Sequence, residues 1–416
     1  MNEDVDDLIE CRCCGAPVHR PFVDLGLSPL CETYLTFEQV NKEERRYPLR
    51  LYLCERCLLV QLPEYVSPED IFSTDYPYYA SYSDSWLCHA KEYVRSMIAR
   101  LGLTKESRVI EIASNDGYLL QYFIEDGIPV LGVEPAANVA QVALQKGVPS
   151  IVRFFGSELA KDLLESRQQA DLLIGNNVLA HTPHLNDFVR GLKILLKPSG
   201  VITMEFPHLL RLIEGVQFDT IYHEHFSYFS LRTVRELFAR HGLTVFDVET
   251  LSTHGGSLRI YARHSEHSVL RVSEAVSRVI DREEGAGMTS RTLYESFGDK
   301  VRAVKEGLRV FLYDAKRMGK TVAGYGAPGK GNILLNYCGI TRDLIEFTVD
   351  RNPIKQGKYT PGSHIPIFPT EKIGERRPDY LLILPWNLRE EIMEQMSWIR
   401  EWGGRFVIPI PAVQVV

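Results

Sequence analysis

The sequence predicts an α/β protein in three parts: a small cysteine-containing N-terminal domain, a central domain built on a parallel sheet, and a smaller C-terminal α/β domain. Three observations support this prediction. Two C-x-x-C pairs stand near the start, strands alternate with helices from about 80 to 255, and a second strand–helix alternation begins near 320. The chain has 416 residues, which is enough for two or three domains.

The composition is that of an ordinary globular protein, with 45% hydrophobic and 24% charged residues. The formal net charge of -7 argues against a nucleic-acid partner, because phosphate binding needs clustered Lys and Arg. The longest apolar runs, such as YLLILPW, are far shorter than a membrane span, and the start MNEDVDDLIE has no apolar signal core. We therefore expect a cytoplasmic monomer without a nucleic-acid or membrane partner.

The N-terminal domain, residues 1–75, carries four cysteines in two pairs: Cys11 with Cys14, and Cys54 with Cys57. In a reducing compartment such pairs favour metal binding over disulfides. Four thiolates suit tetrahedral zinc, and a closed site of this kind is structural. Free buried thiols or a redox C-x-x-C are the alternatives, and Cys13 could replace Cys14 as a ligand. A metal would also stabilise a domain too small for a large core.

The central domain, residues 76–260, alternates apolar strands with helices. The predicted strands are SRVIEIAS, PVLGVEPA, PSIVRFF, ADLLIGNNV and, after a turn at KPSG, GVITMEFP. The predicted helices are DGYLLQYFIEDG, NVAQVALQKG and LNDFVRGLKILL. Short strands separated by helices of this length are typical of βαβ units.

The loop after the first of these strands predicts a ligand site. Glu111 precedes small and polar residues that lead into a helix, and Glu134 ends the next strand, where an acid accepts hydrogen bonds from ribose hydroxyls. The dinucleotide fingerprint is absent, because Ala113, Asn115 and Asp116 crowd the path of a pyrophosphate. S-adenosylmethionine (SAM) has no phosphate, and its cationic groups suit the acids. A turn that binds nothing is the alternative. The candidate cofactor residues are Glu111, Ala113, Asn115, Gly117, Glu134, Pro135, Asn176 and Asn177.

The C-terminal domain, residues 261–416, begins with long polar helices and continues as a second α/β segment. Its loop GYGAPGKGN matches G-x-G-x-x-G with Gly324, Gly326 and Gly329, which makes a dinucleotide one candidate ligand. The nearby lysines favour a different phosphate-bearing ligand, and a loop without a ligand is the third possibility. The candidate substrate residues are Lys330, Asn332, Asp350 and Lys358.

The stretch YHEHFSYFS, Tyr222–Ser230, combines two histidines, a glutamate and four aromatic residues. It is compatible with a metal site, an acid/base site or an aromatic piece of core. His223 and His225 lie on different sides of a helix but on one face of a strand, so a metal with a third ligand stays possible. For Phe226, Tyr228 and Phe229 the core is the better interpretation. His208, His254 and His264 are taken as structural, although the HGGS turn at His254–Ser257 could line a cleft.

A SAM domain joined to a phosphate-binding domain suggests methylation of a nucleotide-linked substrate between them. If the acceptor is carbon, a base must first remove a proton, and an adjacent carbonyl must hold the charge as an enolate. Histidine and tyrosine suit these tasks. The candidate residues are Tyr76, His181, Tyr222, Glu224 and His225.

The sequence resembles the SAM-dependent sugar C-methyltransferases of deoxysugar biosynthesis over essentially its whole length. The four-cysteine start, the middle EIASNDGYLL…GVEPA…GNNVLAH with YHEHFSYFSL, and the end GYGAPGKGN…D…YTPGSHIPI carry the resemblance. It looks closest to the 3-C-methyltransferases of the tetronitrose and kijanose type, which act on a TDP-linked 3-amino-2,3,6-trideoxy-4-keto hexose. The resemblance implies a zinc-binding N-terminal domain, a central Rossmann-like SAM domain and a C-terminal Rossmann-like domain.

The resemblance also implies roles for the candidate residues. His225 would be the base at C3, oriented by Glu224, with Tyr222 and Tyr76 near the sugar and His181 as a helper. The adenosine ribose would bind the acid at the end of the second strand, and the C-terminal domain would hold the TDP. An NAD(P)-dependent oxidoreductase using the GYGAPG loop, and a non-enzymatic zinc module that docks a partner, are the alternative hypotheses.

Overall fold

Short strands around the cysteine pairs form the N-terminal part. The computed structural model describes residues 9–72 and 76–416. This part contains β1 (Ile9–Glu10), β2 (Pro17–Val18), β3 (Arg20–Ser28), β4 (Tyr47–Leu53), β5 (Val60–Gln61) and α1 (Pro68–Ile71). β1 pairs with β2, while β3, β4 and β5 pair antiparallel in sequence order. Leu49, Leu51 and Leu53 alternate along β4 and are buried, so one face of this sheet packs on a core.

The central part is a seven-stranded sheet with helices on both faces. Its elements are α2 (Asp84–Leu101), β6 (Val109–Ile112), α3 (Leu120–Glu125), β7 (Val130–Val133), α4 (Ala137–Gln145), β8 (Ser150–Ile151), α5 (Ser157–Glu165), β9 (Ala170–Asn176), α6 (Leu185–Leu195), β10 (Leu196–Pro207), α7 (Leu209–Glu214), β11 (Ser227–Tyr228), α8 (Leu231–Arg240), β12 (Leu243–Leu251) and β13 (Ser257–His264). The strand order is β12-β13-β10-β9-β6-β7-β8. The five strands from β10 to β8 are parallel, as the βαβ pattern predicted.

The structure differs from the sequence prediction at three places in this sheet. The KPSG turn lies inside β10, where the pairing with β9 shifts register between Leu196 and Val201. The predicted strand PSIVRFF keeps only Ser150–Ile151 in the sheet. The antiparallel strand β13 continues to His264, beyond the expected division at residue 260, because it pairs with β10 as far as Ala262 and with β12 as far as His264.

The C-terminal part begins with helices and ends in a six-stranded sheet. Its elements are α9 (Glu274–Gly285), α10 (Arg291–Glu295), α11 (Phe297–Arg317), β14 (Val322–Tyr325), α12 (Gly329–Cys338), β15 (Thr348–Val349), β16 (Ile367–Phe368), α13 (Lys372–Arg376), β17 (Tyr380–Ile383), α14 (Arg389–Gln395), β18 (Arg405–Ile408) and β19 (Gln414–Val415). The order is β16-β15-β14-β17-β18-β19, with β19 antiparallel at the edge. The α/β prediction is therefore confirmed for both larger parts.

One segment of the central part packs against both the N-terminal and the C-terminal part. β11 adds to the N-terminal sheet, where Ser227 pairs with Gln61 and Tyr228 with Val60. Residues 209–228 also share a hydrophobic core with β3, β4, α11 and α12. The segment that carries YHEHFSYFS is thus held at the meeting point of all three parts. Within the described ranges, no helix combines the length and apolar character that crossing a membrane requires.

Candidate active site

All three parts of the chain line one cavity of about 560 Å³. It lies where the carboxyl ends of β6, β7 and β9 meet, the usual ligand site of an open parallel sheet. Glu32 comes from the N-terminal part, Glu134 and His225 from the central part, and Lys330 from the C-terminal part. Most of the predicted site residues line this cavity: Tyr76, Ala113, Asn115, Glu134, Pro135, Asn176, Asn177, His181, Tyr222, Glu224, His225 and Lys330.

The loops at the carboxyl ends of the strands turn sharply. Ala113, Asn115 and Asn177 have positive φ angles of 57°, 49° and 55°. Such angles are uncommon for residues other than glycine and are typical of ligand clamps. Gly117 has φ +76°, and a Cβ there would lie 2.8 Å from Cγ2 of Val148. Packing therefore explains Gly117, which does not line the cavity, whereas Ala113 and Asn115 do.

Glu134 is fixed in place by two backbone donors. Its Oε2 accepts from the Asn115 N–H at 3.0 Å and its Oε1 from the Ala136 N–H at 2.9 Å. Burial raises the pKa of Glu134 to about 7, although both backbone hydrogen bonds oppose the shift. Each carboxylate oxygen keeps a further lone pair, which suits the ribose hydroxyls of an adenosine.

Several buried polar groups beside this loop have no partner among the described residues. They are both oxygens of Glu111, both amide atoms of Asn176 and Oδ1 of Asn177. Glu111 is fully buried beneath the loop rather than in the cavity wall, and burial raises its pKa well above the usual range. Buried polar groups without partners are costly, so the amides of Asn176 and Asn177, which line the cavity, fit a ligand with its own donors and acceptors, such as the amino-acid end of SAM.

His225 is held in a single tautomer. Its Nδ1 lies 2.9 Å from the carbonyl oxygen of Thr220, which can only accept, so Nδ1 carries the proton and Nε2 keeps a lone pair. The ring of Tyr222 lies 4.1 Å away, tilted by 31°, and the ring of His181 lies edge-on at 4.7 Å. Burial lowers the pKa of His225 to about 4, so the imidazole is neutral.

Glu224 does not orient His225, contrary to the expectation from the resemblance. Its Oε2 accepts a hydrogen bond from the Tyr76 hydroxyl at 3.0 Å. Burial, followed by the nearby carboxylate of Glu32, raises the pKa of Glu224 to about 8. The backbone of Thr220 takes the orienting role, and Glu224 forms a second polar pair with Tyr76 in the same cavity.

His223 faces away from this constellation. Its Nε2 lies 3.2 Å from the carbonyl oxygen of Pro48, and its ring packs edge-on against Tyr47 at 5.7 Å. The two histidines of YHEHFSYFS therefore have different surroundings, which disfavours a metal held between them. The aromatic residues that follow are buried, as predicted: Phe226, Tyr228 and Phe229.

His254 belongs to the site although the sequence indicated it only weakly. It lines the cavity, and its Nε2 lies 3.2 Å from Nδ2 of Asn177. Trp86 meets its ring edge-on at 5.2 Å, and burial lowers the pKa of His254 to about 3. Its position just before β13, the strand beside β10, could have identified it. The cavity also takes in residues 153–156, which leave the sheet after β8.

Packing accounts for the glycines of the GYGAPGKGN loop. A Cβ on Gly329 would lie 2.8 Å from Oε1 of Glu32, and one on Gly331 would lie 2.9 Å from Cβ of Leu384. Gly326 has φ +84°. Protein atoms fill the space beside these glycines, so small residues are needed there whether or not a dinucleotide binds.

Of the four predicted substrate residues, Lys330 alone is in the cavity wall. Its Nζ donates to Oδ1 of Asn387 at 2.8 Å. Asn332 is buried and donates to the Cys31 carbonyl, while Asp350 accepts from the Ala327 backbone at 2.7 Å. The cavity lining does not include Asn332, Asp350 or Lys358.

The four predicted metal ligands come together. The Sγ atoms of Cys11, Cys14, Cys54 and Cys57 all lie within 4.8 Å of one another. Sulfur atoms around tetrahedral zinc lie about 3.8 Å apart when each bond is about 2.3 Å, and the pairs Cys11–Cys57 and Cys14–Cys54 lie 3.4 and 3.6 Å apart. The donor set and spacing therefore fit zinc, with Cys14 rather than Cys13 as the ligand.

The comparisons with known proteins agree with this architecture. Family models match in order a "Putative zinc binding domain" at residues 11–72, a "Methyltransferase domain" at 86–248 and a "C-methyltransferase C-terminal domain" at 252–411. The C-methyltransferase NovU of Streptomyces niveus is 38% identical over 418 residues, covering 100% of this chain and 99% of the relative.

Solved structures resemble the chain only weakly. The PH0226 protein of Pyrococcus horikoshii OT3 has 18% identity and a TM-score of 0.37, covering 45% of this chain and 94% of that protein. Magnesium protoporphyrin IX methyltransferase of Synechocystis PCC 6803 with bound SAH has 16% identity and a TM-score of 0.35, covering 43% and 83%.

The family models and the full-length relative confirm the expectations of SAM as cofactor and of zinc held by the four cysteines. They also confirm the resemblance that the motifs indicated. The chain belongs to the family of SAM-dependent C-methyltransferases, with a zinc-binding N-terminal domain, a central Rossmann-like methyltransferase domain and a C-terminal α/β domain.

Proposed function

We propose that this enzyme methylates C3 of a TDP-linked 4-keto deoxysugar, a 3-amino-2,3,6-trideoxy-4-keto hexose, in antibiotic deoxysugar biosynthesis. The observation that carries the proposal is the neutral, tautomer-fixed His225 in the same cavity as Glu134 and Asn176. A ketone beside the acceptor carbon is required, because a C–H carbon has no lone pair for a methyl group. The substrate identity rests on the motif resemblance.

The proposed mechanism begins with proton transfer to Nε2 of His225. The C3–H bond breaks, its proton moves to Nε2, and its electron pair becomes an enolate on the oxygen at C4. Burial raises the pKa of Tyr222 well above its usual range, so its hydroxyl stays protonated and can donate to that oxygen. SAM, held beside Glu134, would supply an electrophilic methyl group; C3 would bond to this methyl carbon as the methyl–sulfur bond breaks and its electron pair stays on sulfur, leaving S-adenosylhomocysteine.

Two further groups position the sugar in this proposal. Tyr76 and Glu224 are hydrogen-bonded to each other, so their side chains are already in place to contact a polar substituent of the sugar. His181 has its pKa lowered well below the usual range by burial, which keeps a neutral imidazole beside His225. Which member of the Tyr76–Glu224 pair donates to the sugar depends on the substituent.

Lys330 is the group of the C-terminal domain that would hold the diphosphate of the substrate. It lines the cavity at the N-terminus of α12, where the helix dipole also favours an anion. Arg153 contributes the second basic side chain of the lining. The nucleotide would then lie toward α12 and the ketone toward His225.

Mass spectrometry of products tests the proposal. The enzyme is incubated with SAM and a panel of TDP-4-keto sugars that differ at C2 and C3. We expect a single added methyl group on a 3-amino-4-keto sugar, and deuterium at C3 when the reaction runs in D₂O without SAM. Methylation on nitrogen or oxygen, or no product with any 4-keto sugar, would reject it.

Calorimetry with NAD(H) and SAM in parallel tests the oxidoreductase alternative, which tight NAD binding without SAM binding would favour.

As part of this proposal the enzyme is a cytoplasmic monomer; its cysteines, all of which lie in the described ranges, form no disulfide, which fits a reducing compartment. Light scattering after size-exclusion chromatography tests the oligomeric state, and a dimer mass would contradict it.

A further inference from the structure

The C-terminal domain contacts the segment that orients His225 in two ways: the Tyr337 ring of α12 packs against Phe218 at 5.2 Å, and one buried side-chain hydrogen bond joins Trp386 to Asp219. Nε1 of Trp386 donates to Oδ2 of Asp219 at 2.6 Å, across 167 positions of sequence. Asp219 is completely buried, and its other oxygen has no partner among the described residues. The indole N–H and the nearby charge of Lys330 therefore both stabilise the carboxylate, since a buried carboxylate without such partners is strongly disfavoured.

Asp219 directly precedes Thr220, whose carbonyl oxygen holds Nδ1 of His225. Both lie in the short 3₁₀ helix Phe218–Thr220, and the Thr220 hydroxyl donates back to the Gln217 carbonyl at 2.7 Å. The backbone between Asp219 and Thr220 is thus short and internally bonded. A shift of the Asp219 side chain would move the acceptor that sets the direction of the His225 ring.

The same indole packs against the turn that carries His254. A Cβ on Gly255 would lie 2.7 Å from Cη2 of Trp386, so the ring sits directly over that glycine. Gln217 ties the two segments together, because its Nε2 donates to the Gly255 carbonyl at 2.8 Å. Nζ of Lys330 lies 5.4 Å from the centre of the indole. Trp386 therefore contacts three segments that contribute side chains to the cavity.

In the described structure neither Trp386 nor Asp219 lines the cavity itself. A role in touching the substrate is thereby disfavoured, and a role through neighbouring groups remains. Space filling alone does not explain the arrangement either, because the indole N–H donates to a buried carboxylate rather than to water.

We propose that Trp386 is a positioning residue: through Asp219 it fixes the Thr220 carbonyl, and so aims Nε2 of His225 at the proton that is removed. The inference rests on the proposed function, in which His225 is the base. In this proposal, docking of the C-terminal domain helps to orient His225, in addition to any contact of that domain with a nucleotide. Small displacements matter here, since a misplacement of about 1 Å can cost roughly 10²-fold in rate.

The test compares W386F with W402F. Phenylalanine at 386 keeps an aromatic ring over Gly255 and beside Lys330 but removes the N–H. Trp402 is the matched control, because its Nε1 donates to the Pro378 carbonyl at 3.0 Å within the C-terminal domain, away from the cavity lining. The measurements are C3 deuterium exchange, kcat and KM for methyl transfer, and SAM affinity by calorimetry.

We expect W386F to lower the exchange rate and kcat by about tenfold or more, with KM and SAM affinity within about twofold of wild type. W402F should leave all four unchanged. Exchange and kcat in W386F equal to those in W402F would overturn the positioning role. If the wild-type enzyme exchanges no C3 proton on any 4-keto sugar, the proposed function fails and this inference fails with it.

Two substitutions at Asp219 keep the test decisive if W386F folds poorly. D219N retains an oxygen that accepts the indole N–H, whereas D219A removes the acceptor. We expect D219N to exchange C3 protons faster than D219A at equal SAM affinity. Equal rates, or the reverse order, would overturn the proposal.

Discussion

The carbonyl oxygen of Thr220 lies 2.9 Å from Nδ1 of His225, and this contact decides which imidazole nitrogen can act as a base. A carboxylate in the same place would raise the basicity of the ring, whereas a neutral carbonyl orients it without adding charge. With burial lowering the pKa of His225 to about 4, the imidazole stays neutral through the physiological range. Nε2 of His225 therefore has a lone pair available to accept a proton, and the ring does not first have to lose one.

The first prediction concerns His225 itself. His225→Asn removes Nε2, so methyl transfer should fall by roughly 10²-fold or more, the usual contribution of a positioned base. SAM affinity should stay within about threefold of wild type, because the groups that fit SAM surround Glu134 instead. Steady-state kinetics and calorimetry measure the two effects.

His223→Asn is the matched control for this experiment. His223 is two positions away, equally a histidine and buried, but its Nε2 bonds to the Pro48 carbonyl outside the cavity. The control should retain kcat even if its melting temperature falls. Full activity in His225→Asn, or an equal loss of kcat in both variants, would remove His225 from the mechanism.

The second prediction concerns Glu224 and pH. The folded-state pKa of Glu224 is raised to about 8 from 4.5, chiefly by burial and then by Glu32, with Tyr76 and Lys355 acting in the opposite direction. Between these values the folded protein holds a proton that the unfolded chain has released. The contribution of Glu224 to stability is therefore fully present below about pH 4.5 and is lost as pH rises through about 8.

Melting temperatures from pH 5 to pH 8.5 test this. Glu224→Gln cannot titrate, so its melting temperature should rise relative to wild type as pH increases. Glu64→Gln is the control, because that exposed carboxyl at the cavity is solvated whether or not the protein is folded. Parallel curves for wild type and Glu224→Gln would contradict the burial argument.

The sequence predicted which residues meet at the strand ends better than it predicted the surroundings of His225. Residues after β6, β7 and β9 meet because parallel strands end at one edge, so spacing alone brings Ala113, Glu134 and Asn177 together. The Thr220 carbonyl could not be predicted as the partner of His225, because any residue type supplies a carbonyl. Trp386 and Asp219 meet only through the docking of two domains, which leaves no local pattern.

At the GYGAPGKGN loop the difficulty is the reverse: a local motif suggested a dinucleotide where the structure shows close packing of protein atoms. G-x-G-x-x-G at Gly324, Gly326 and Gly329 satisfies the dinucleotide fingerprint along the chain. In the folded protein Glu32 of another domain lies against Gly329, and Leu384 lies against the glycine two positions later. Small residues were needed there for the approach of protein atoms, which a motif cannot distinguish from the approach of a phosphate.

The third prediction concerns SAM binding. In Glu134 each carboxylate oxygen accepts one backbone N–H, from Asn115 and from Ala136. Glu134→Gln places an amide NH₂ opposite one of these donors, so it loses a hydrogen bond of roughly 1.5–3 kcal/mol and distorts the loop. SAM affinity should fall by about tenfold or more in calorimetry.

Glu158→Gln is the control: it changes a carboxyl that also lines the cavity but is 89% exposed, and this variant should bind SAM as wild type does. Equal affinities in the two variants would contradict the role of Glu134.

The fourth prediction concerns zinc. The metal should hold two matching turns together: the Gly15 N–H bonds to the Cys11 carbonyl at 2.8 Å, and the Leu58 N–H bonds to the Cys54 carbonyl at 2.9 Å. Arg12, inside the first turn, donates to the Phe226 carbonyl at 3.0 Å, so the cluster also supports the segment that follows His225.

Cys54→Ser should therefore lose zinc and lower the melting temperature, because binding energy of a structural metal is folding energy. Methyl transfer should fall with it, through loss of the Arg12 support, while SAM affinity of the central domain changes less. Cys88→Ser alters an exposed cysteine on α2 and is the matched control for removing a thiol. Metal analysis, melting curves and kinetics measure these effects together. A zinc-free Cys54→Ser protein with the melting temperature of wild type would show that the cluster does not stabilise the fold, because a structural zinc ion cannot leave without a cost in folding free energy.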